Sequence, residues 1–293
     1  MSNDAPAGRD PFSRYRDQLS AVGFKPSTTR GQNFLLDPSL HRWIAEQAAP
    51  TENDTVIEIG VGLGFLTREL AARAGKLLAV EIEPRLLTIA KSELASHDNI
   101  EWLEGDALGG PQRRLLPRIA EVAEATTGRL LIVANLPYSV SGPLLAELAQ
   151  LPRLPDGVVV LVQKELGQRL AAGAGSEAYG GLTGLIQSIF SARSLRDVSP
   201  NVFRPRPKVW SSVIGLERRA DLPVALQGEP ERRRFAIFVR SLFGQRRKAL
   251  RKTFALAAKA LDKEPPQLEE ELAAKRAEQL GPTELVELWQ RCE

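Results

Sequence analysis

The chain has 293 residues, enough for one large α/β domain and a smaller module, with 43% hydrophobic and 26% charged residues, ordinary proportions for a globular protein. No apolar run nears the roughly 18 residues that a membrane span needs, and the N-terminus lacks a hydrophobic signal core and carries Asp4, Asp10 and Asp17, which argue against a transit peptide, so the expected compartment is the cytoplasm. Net charge is +3 but unevenly placed: residues 201–293 hold 19 Lys and Arg against 13 Asp and Glu, so the C-terminal part is the one suited to a polyanion.

Residues 1–30 are polar, interrupted by Pro6, Pro11 and Pro26, and read as a flexible arm. Short apolar runs then predict strands at 55–59, 77–82, 100–103, 130–134, 158–163 and 209–216, with helices at 65–74, 84–96 and 143–150 between the first five. Pro84 suits a first helical turn, where its missing N–H costs nothing. Such alternation means right-handed βαβ units and a parallel, Rossmann-like sheet spanning 31–219. Past Arg219 the strands stop. Helices are expected at 230–243, 245–260, 266–279 and 282–292, a smaller all-helical domain over 220–293.

Glu58-Ile59-Gly60-Val61-Gly62-Leu63-Gly64 closes the first strand and opens a helix. Glycines there let the chain turn sharply and let a ligand approach bare backbone at a helix N-terminus. Glu81 ends the next strand 21 residues after Gly60, where a carboxylate suits ribose hydroxyls. A dinucleotide fingerprint needs a third glycine where Phe65 or Thr67 stands. The compact Gly60, Gly62, Gly64 spacing instead suits S-adenosylmethionine, which has no pyrophosphate. Gly105-Asp106-Ala107 beyond the third strand offers a contact for the adenine amine. A glycine loop alone is equally a tight turn; the loop, the acidic residue and Gly-Asp-Ala in series are what identify a cofactor site.

Asn135-Leu136-Pro137-Tyr138 follows the fourth strand at the carboxyl edge, where α/β sheets place ligands. An exocyclic adenine amine is a weak nucleophile because its lone pair is delocalised. The Asn135 side-chain carbonyl and the Leu136 backbone carbonyl are acceptors that could aim such an amine at a methyl donor. Pro137 stiffens the turn without adding a donor, and Tyr138 offers a face for an extruded base. No metal is expected: His41, His97 and Cys292 are the only His and Cys residues.

In this order the motifs resemble the ribosomal RNA adenine dimethylases. Gly31-Gln32-Asn33-Phe34-Leu35 is similar to the family's opening motif, and Gln163-Lys164-Glu165 and the segment from Phe203 to Val209 with Ser211-Ser212 follow the rest, over nearly all of 31–293. Val61 and Glu83 depart from the family's usual proline and aspartate. The resemblance implies that Asn33, Leu35, Gly60, Gly62, Glu81, Asp106, Ala107 and Asn135 contact S-adenosylmethionine. It also implies that Asn135, Leu136, Pro137 and Tyr138 act on the target base, with Phe203 as a second aromatic wall; the alternative for Phe203 is a phenylalanine buried at a loop.

Between 231 and 252 nine residues are Lys or Arg and Glu231 alone is acidic. Phe235, Phe238, Val239 and Leu242 recur at helical spacing, so one face packs while the other carries cations. RNA contacts are therefore expected from Arg246, Arg247 and Lys248, and near the site from Arg204 and Lys208; a solvated, solubilising face is the rival. The stretch at 244–248 resembles the family's housekeeping members, which dimethylate two adjacent adenosines near the 3′ end of small-subunit RNA. Partners are then that RNA and the precursor subunit, met by a monomer without membrane contact. Alternatives are the antibiotic-resistance relatives acting on large-subunit RNA, an assembly factor whose catalysis is secondary, and a DNA adenine methyltransferase.

Overall fold

A computed structural model describes residues 11–26 and 33–292, with side chains from Arg16 onward. Residues 1–10 and 27–30 of the expected arm, and Gly31 and Gln32 of the opening motif, lie outside the described residues. Within that arm, α1 (Pro11–Ala21) is helical. Leu19 and Phe24 are buried in one cluster with Phe34, Leu63, Leu86 and Ile89, so apolar anchoring makes this part of the arm a packed element.

The elements that follow are β1 (Phe34–Leu35), α2 (Pro38–Ala48), β2 (Thr55–Ile59), α3 (Phe65–Ala71), β3 (Lys76–Glu81), α4 (Pro84–Glu93) and β4 (Ile100–Glu104). Next come α5 (Pro117–Ala125), β5 (Leu130–Asn135), α6 (Ser141–Leu148), β6 (Gly157–Gln163), α7 (Lys164–Leu170) and α8 (Gly181–Ile189). The chain ends with β7 (Phe190–Val198), β8 (Phe203–Arg204), β9 (Ser211–Arg218), α9 (Glu229–Phe243), α10 (Leu250–Lys259), α11 (Glu270–Ala274) and α12 (Pro282–Gln290).

Among the described residues the main sheet has seven strands in the order β4-β3-β2-β5-β6-β9-β7. Pairs from β4 to β6 are parallel; β9 pairs antiparallel with both β6 and β7. The expected parallel sheet is thus extended by an antiparallel edge. Its outermost strand, β7, was not expected from the sequence. Its polar residues Ser191, Arg193 and Ser194 and a register shift between Ser194 and Arg196 are what an edge strand carries to resist pairing with another chain.

Central strands are covered on both faces, which is why β5 is apolar from Leu130 to Ala134 and why β2 is buried throughout, Thr55 and Glu58 included. Alternation sends Val56, Leu131, Val133 and Leu161 to a core with Ile44 of α2 and Leu70 of α3. Their neighbours Ile57, Ile132 and Val160 meet Leu144 of α6 and Ile186 of α8 in a second core. That second core runs on without a break into the C-terminal helices through Phe235, Phe254 and Trp289. Edge-to-face contacts tie these helices together: Phe235 to Trp289 at 5.5 Å and Phe238 to Phe254 at 6.2 Å between ring centroids. No helix of the described residues is long and apolar enough to cross a membrane.

Two C-terminal expectations are corrected. Residues 245–249 are not helical, because Ala249 bridges to Arg276 and the Leu250 N–H donates to the Lys275 carbonyl. The helix expected over 266–279 shortens to α11 and a 3-10 turn at Ala277–Gln279.

Candidate active site

Strand order reverses beside β2: β3 and β4 lie on one side and β5 and β6 on the other. A crevice opens at such a switch, beyond the carboxyl ends of the strands. It holds a cavity of about 500 Å³, within the size range of small-molecule sites.

The floor is the turn after β2. Gly60 and Gly62 have φ of 85° and 58°, a left-handed backbone that other residues resist. A side chain at Gly62 would also meet the Phe34 ring at 3.4 Å. The Gly62 N–H donates to Glu81 Oε2 at 2.8 Å, and the Glu83 N–H donates to Oε1 at 3.0 Å. Two backbone amides therefore fix the Glu81 carboxylate at the end of β3, while its lone pairs allow further donors. Burial pushes the Glu81 pKa up, opposed by these amides. Across from it, Asp106 Oδ1 accepts the Leu108 N–H at 3.0 Å, and Ala107 is buried beside it.

The other wall follows β5. The Asn135 side-chain NH2 donates to the Asn33 carbonyl at 3.4 Å, which leaves Oδ1 as an uncommitted acceptor among the described residues. Leu136 donates its N–H to the Leu161 carbonyl at 3.1 Å, and its own carbonyl accepts no hydrogen bond among the described residues. The Tyr138 phenol lies 2.6 Å from the Ser211 hydroxyl. Burial pushes its pKa up, the Ser211 contact opposing, so the phenol is neutral at physiological pH.

All eight residues expected at the cofactor, and Leu136, Pro137 and Tyr138, line this one cavity. Phe203 does not. Its backbone pairs with Leu35, and its ring is fully buried in the core with Leu35, Ile44 and Val213. Strand alternation turns Phe203 inward and Arg204 outward. The structure thus does not bring Phe203 to the cavity wall: stacking on a base would require the ring to leave the core.

The expected RNA-binding cations divide. Arg204 faces a cleft shared with Arg16 and Lys25, and Lys208 is exposed. Arg247 and Lys248 are exposed and make no ion pair among the described residues. Arg246 is different: it pairs with Glu278 and donates to the Glu177 carbonyl, so its first work is to hold the turn after α9.

Three features were not assigned from the sequence. Glu58 is buried under the cavity, with no hydrogen bond of ordinary geometry to its carboxylate among the described residues; burial pushes its pKa up to about 8, with the nearby Thr67 hydroxyl opposing and Glu81 adding to the rise. His41 donates from Nε2 to the Leu35 carbonyl at 3.0 Å, and burial holds its pKa at about 4, so the ring is neutral. Ile82 is 60% exposed at the cavity although apolar; an apolar residue directly after a strand-ending acid was its available signal. Among the described residues no group of three or more His, Cys, Asp or Glu is arranged to hold a metal.

A family model described as ribosomal RNA adenine dimethylase matches residues 23–279. The ribosomal RNA small subunit methyltransferase A of Geobacillus thermodenitrificans is 39% identical over 239 residues, 81% of this chain and 78% of that protein. Its counterpart from Moorella thermoacetica is 39% identical over 228 residues, 78% of each chain. Among solved structures, a dimethyladenosine transferase from Plasmodium falciparum superposes with a TM-score of 0.68 at 24% identity, covering 87% of this chain and 95% of the other. The 23S rRNA methyltransferase ErmE gives 0.61 at 24% identity, covering 88% and 98%. Both share the fold.

Proposed function

The chain belongs to the ribosomal RNA adenine dimethylase family, and we propose that it methylates the N6 amines of two adjacent adenosines near the 3′ end of small-subunit ribosomal RNA, with S-adenosylmethionine as donor, during subunit maturation in the cytoplasm. The observation that carries this reading is the pair of uncommitted acceptors, Asn135 Oδ1 and the Leu136 carbonyl, beside the Tyr138 ring.

The cavity fits the donor chemically. The glycine turn gives close backbone, Glu81 gives a fixed carboxylate, and the buried Glu58 carboxyl gives a latent negative charge beneath a cationic ligand. Asn33 and Leu35 on one side and Asp106 and Ala107 on the other would enclose it. When bound, S-adenosylmethionine supplies an electrophilic methyl whose leaving group is a neutral thioether.

The rest falls to the chain. Asn135 Oδ1 and the Leu136 carbonyl accept the two N–H groups of the target amine and turn its lone pair toward the methyl, a near-attack arrangement. Pro137 offers no N–H to compete for those acceptors. Tyr138 stacks on the base, worth roughly 1–3 kcal/mol. Arg247 and Lys248 hold phosphates away from the cavity, giving affinity rather than base choice.

Nucleoside mass spectrometry of ribosomal RNA from cells with and without this gene tests the reading. Loss of dimethyladenosine from small-subunit RNA is expected. Loss from large-subunit RNA would move the assignment to the antibiotic-resistance relatives, and unchanged RNA would overturn it.

A further inference from the structure

Outside the cavity stands an aromatic side chain with no part in the chemistry above. Trp210, directly before β9, is 50% exposed, and Val209 beside it is 45% exposed. Sheet register fixes where it lies. Leu161 of β6 pairs with Asn135 of β5 and with Val213 of β9, so these three residues form a row across the sheet. Two strand spacings of about 4.8 Å put β9 about 10 Å from β5. Because β9 runs antiparallel to β6, moving back from Val213 to Trp210 leads off the same edge at which β5 delivers Asn135. Ser211, next in sequence, is the residue whose hydroxyl meets Tyr138.

The indole is held before any ligand arrives. Lys164 donates its N–H to the Trp210 carbonyl at 2.9 Å, and its ammonium sits 5.9 Å from the ring centroid. Asp197 pins that ammonium at 2.6 Å, so the Lys164 charge is already answered and serves to buttress the ring. A fixed ring loses little freedom on stacking. Upstream, Arg206 and Lys208 are exposed and make no ion pair among the described residues, which leaves their charges for phosphate. An anchored, half-exposed indole preceded along one segment by uncommitted cations is the combination that takes single-stranded nucleic acid, base on ring and phosphate on cation.

We infer that Trp210 is the stacking platform for the nucleobase next to the target adenosine. The inference rests on the proposed function: with two adjacent adenosines as substrate, one occupies the cavity while its neighbour stacks on Trp210.

The test uses the full chain and a small-subunit RNA fragment, intact or carrying an abasic nucleotide on either side of the target. Trp210→Ala should weaken binding of intact RNA roughly 5- to 160-fold, and Trp210→Phe should stay within about threefold of wild type, as stacking predicts. S-adenosylmethionine affinity should not change. The alanine penalty should vanish on RNA abasic at one flanking position, an effect that a merely structural role cannot produce. Wild-type affinity in Trp210→Ala, or the same penalty on both abasic RNAs, overturns the platform. Failure of the wild-type chain to methylate the intact RNA would instead remove the functional reading itself, and the platform with it.

Discussion

The Tyr138 phenol oxygen and the Ser211 hydroxyl are 2.6 Å apart, a bond that joins the segment after β5 to the first residue of β9. Ser211 is itself fully buried, so the bond is shielded from water and sets the angle of the Tyr138 ring at the cavity wall.

Removing that bond should loosen the ring without removing it. Ser211→Ala and Tyr138→Phe each lose the same hydrogen bond, a net cost of about 0.5–1.5 kcal/mol. We expect methyl transfer at saturating cofactor and RNA to fall roughly 2- to 12-fold in each variant. The double variant should be no slower than the slower single one, because both changes delete one interaction. Multiplying effects would show that the two residues act separately.

Glu58 should release a proton when the cofactor binds. Its folded pKa, about 8, lies above the usual carboxylate value because burial disfavours charge. The stability that this shift reflects is full below about pH 4.5 and is lost as pH rises through 8. A cationic ligand in the cavity favours the ionised form, so binding of S-adenosylmethionine at pH 7 should release a proton. Calorimetry in buffers of different ionisation enthalpy reads this directly. The apparent enthalpy should depend on buffer for wild type and not for Glu58→Gln; buffer independence in the wild type would show that Glu58 keeps its proton.

Arg232 should be among the costliest single changes for stability. It is fully buried in α9 and donates to the carbonyls of Leu226, Gln227, Leu151 and Pro152, with burial pushing its pKa down. It therefore staples the C-terminal helices to the loop before β6. Arg232→Met keeps bulk but leaves those carbonyls buried without donors, at about 3–5 kcal/mol. Denaturant unfolding should show a lower midpoint; a loss under 1 kcal/mol would mean that water replaces the guanidinium.

Arg247→Glu with Lys248→Glu should weaken RNA binding and flatten its salt dependence, the slope of log affinity against log salt changing by about 0.7–0.9 per lost phosphate contact. Arg246→Glu should behave differently, lowering thermal stability through the lost Glu278 pair. Equal salt slopes in wild type and the Arg247, Lys248 variant would make those residues a solvated face.

Much of this was legible in the sequence because local chemistry forced it. The turn after β2 needs glycine at positive φ, and strands buried on both faces need mostly apolar residues, so the cavity's floor and central sheet announce themselves. Tertiary context decided the rest. Phe203 sits in a motif, but only its pairing with Leu35 reveals that its ring faces the core. Arg246 reads as one of three equal cations until Glu278, 32 residues away, claims it. The edge strand β7 carries polar residues because one of its sides has no partner, and so it lacks the apolar signature of a strand. Glu58 looks like part of a glycine motif; its full burial beneath the cavity is visible only in three dimensions.

Single-turnover methyl transfer to unmethylated small subunits, read by nucleoside mass spectrometry for wild type and Asn135→Ala side by side, tests the central claim most directly. The wild-type chain with S-adenosylmethionine should produce N6,N6-dimethyladenosine in small-subunit RNA. Asn135→Ala should bind the subunit with near wild-type affinity, because phosphate contacts elsewhere supply most of it. Its chemical step should fall by about 10²-fold or more, because Asn135 Oδ1 orients the reacting nitrogen. Methyl transfer by the variant at near wild-type rate, or no dimethyladenosine from the wild type, would contradict the account.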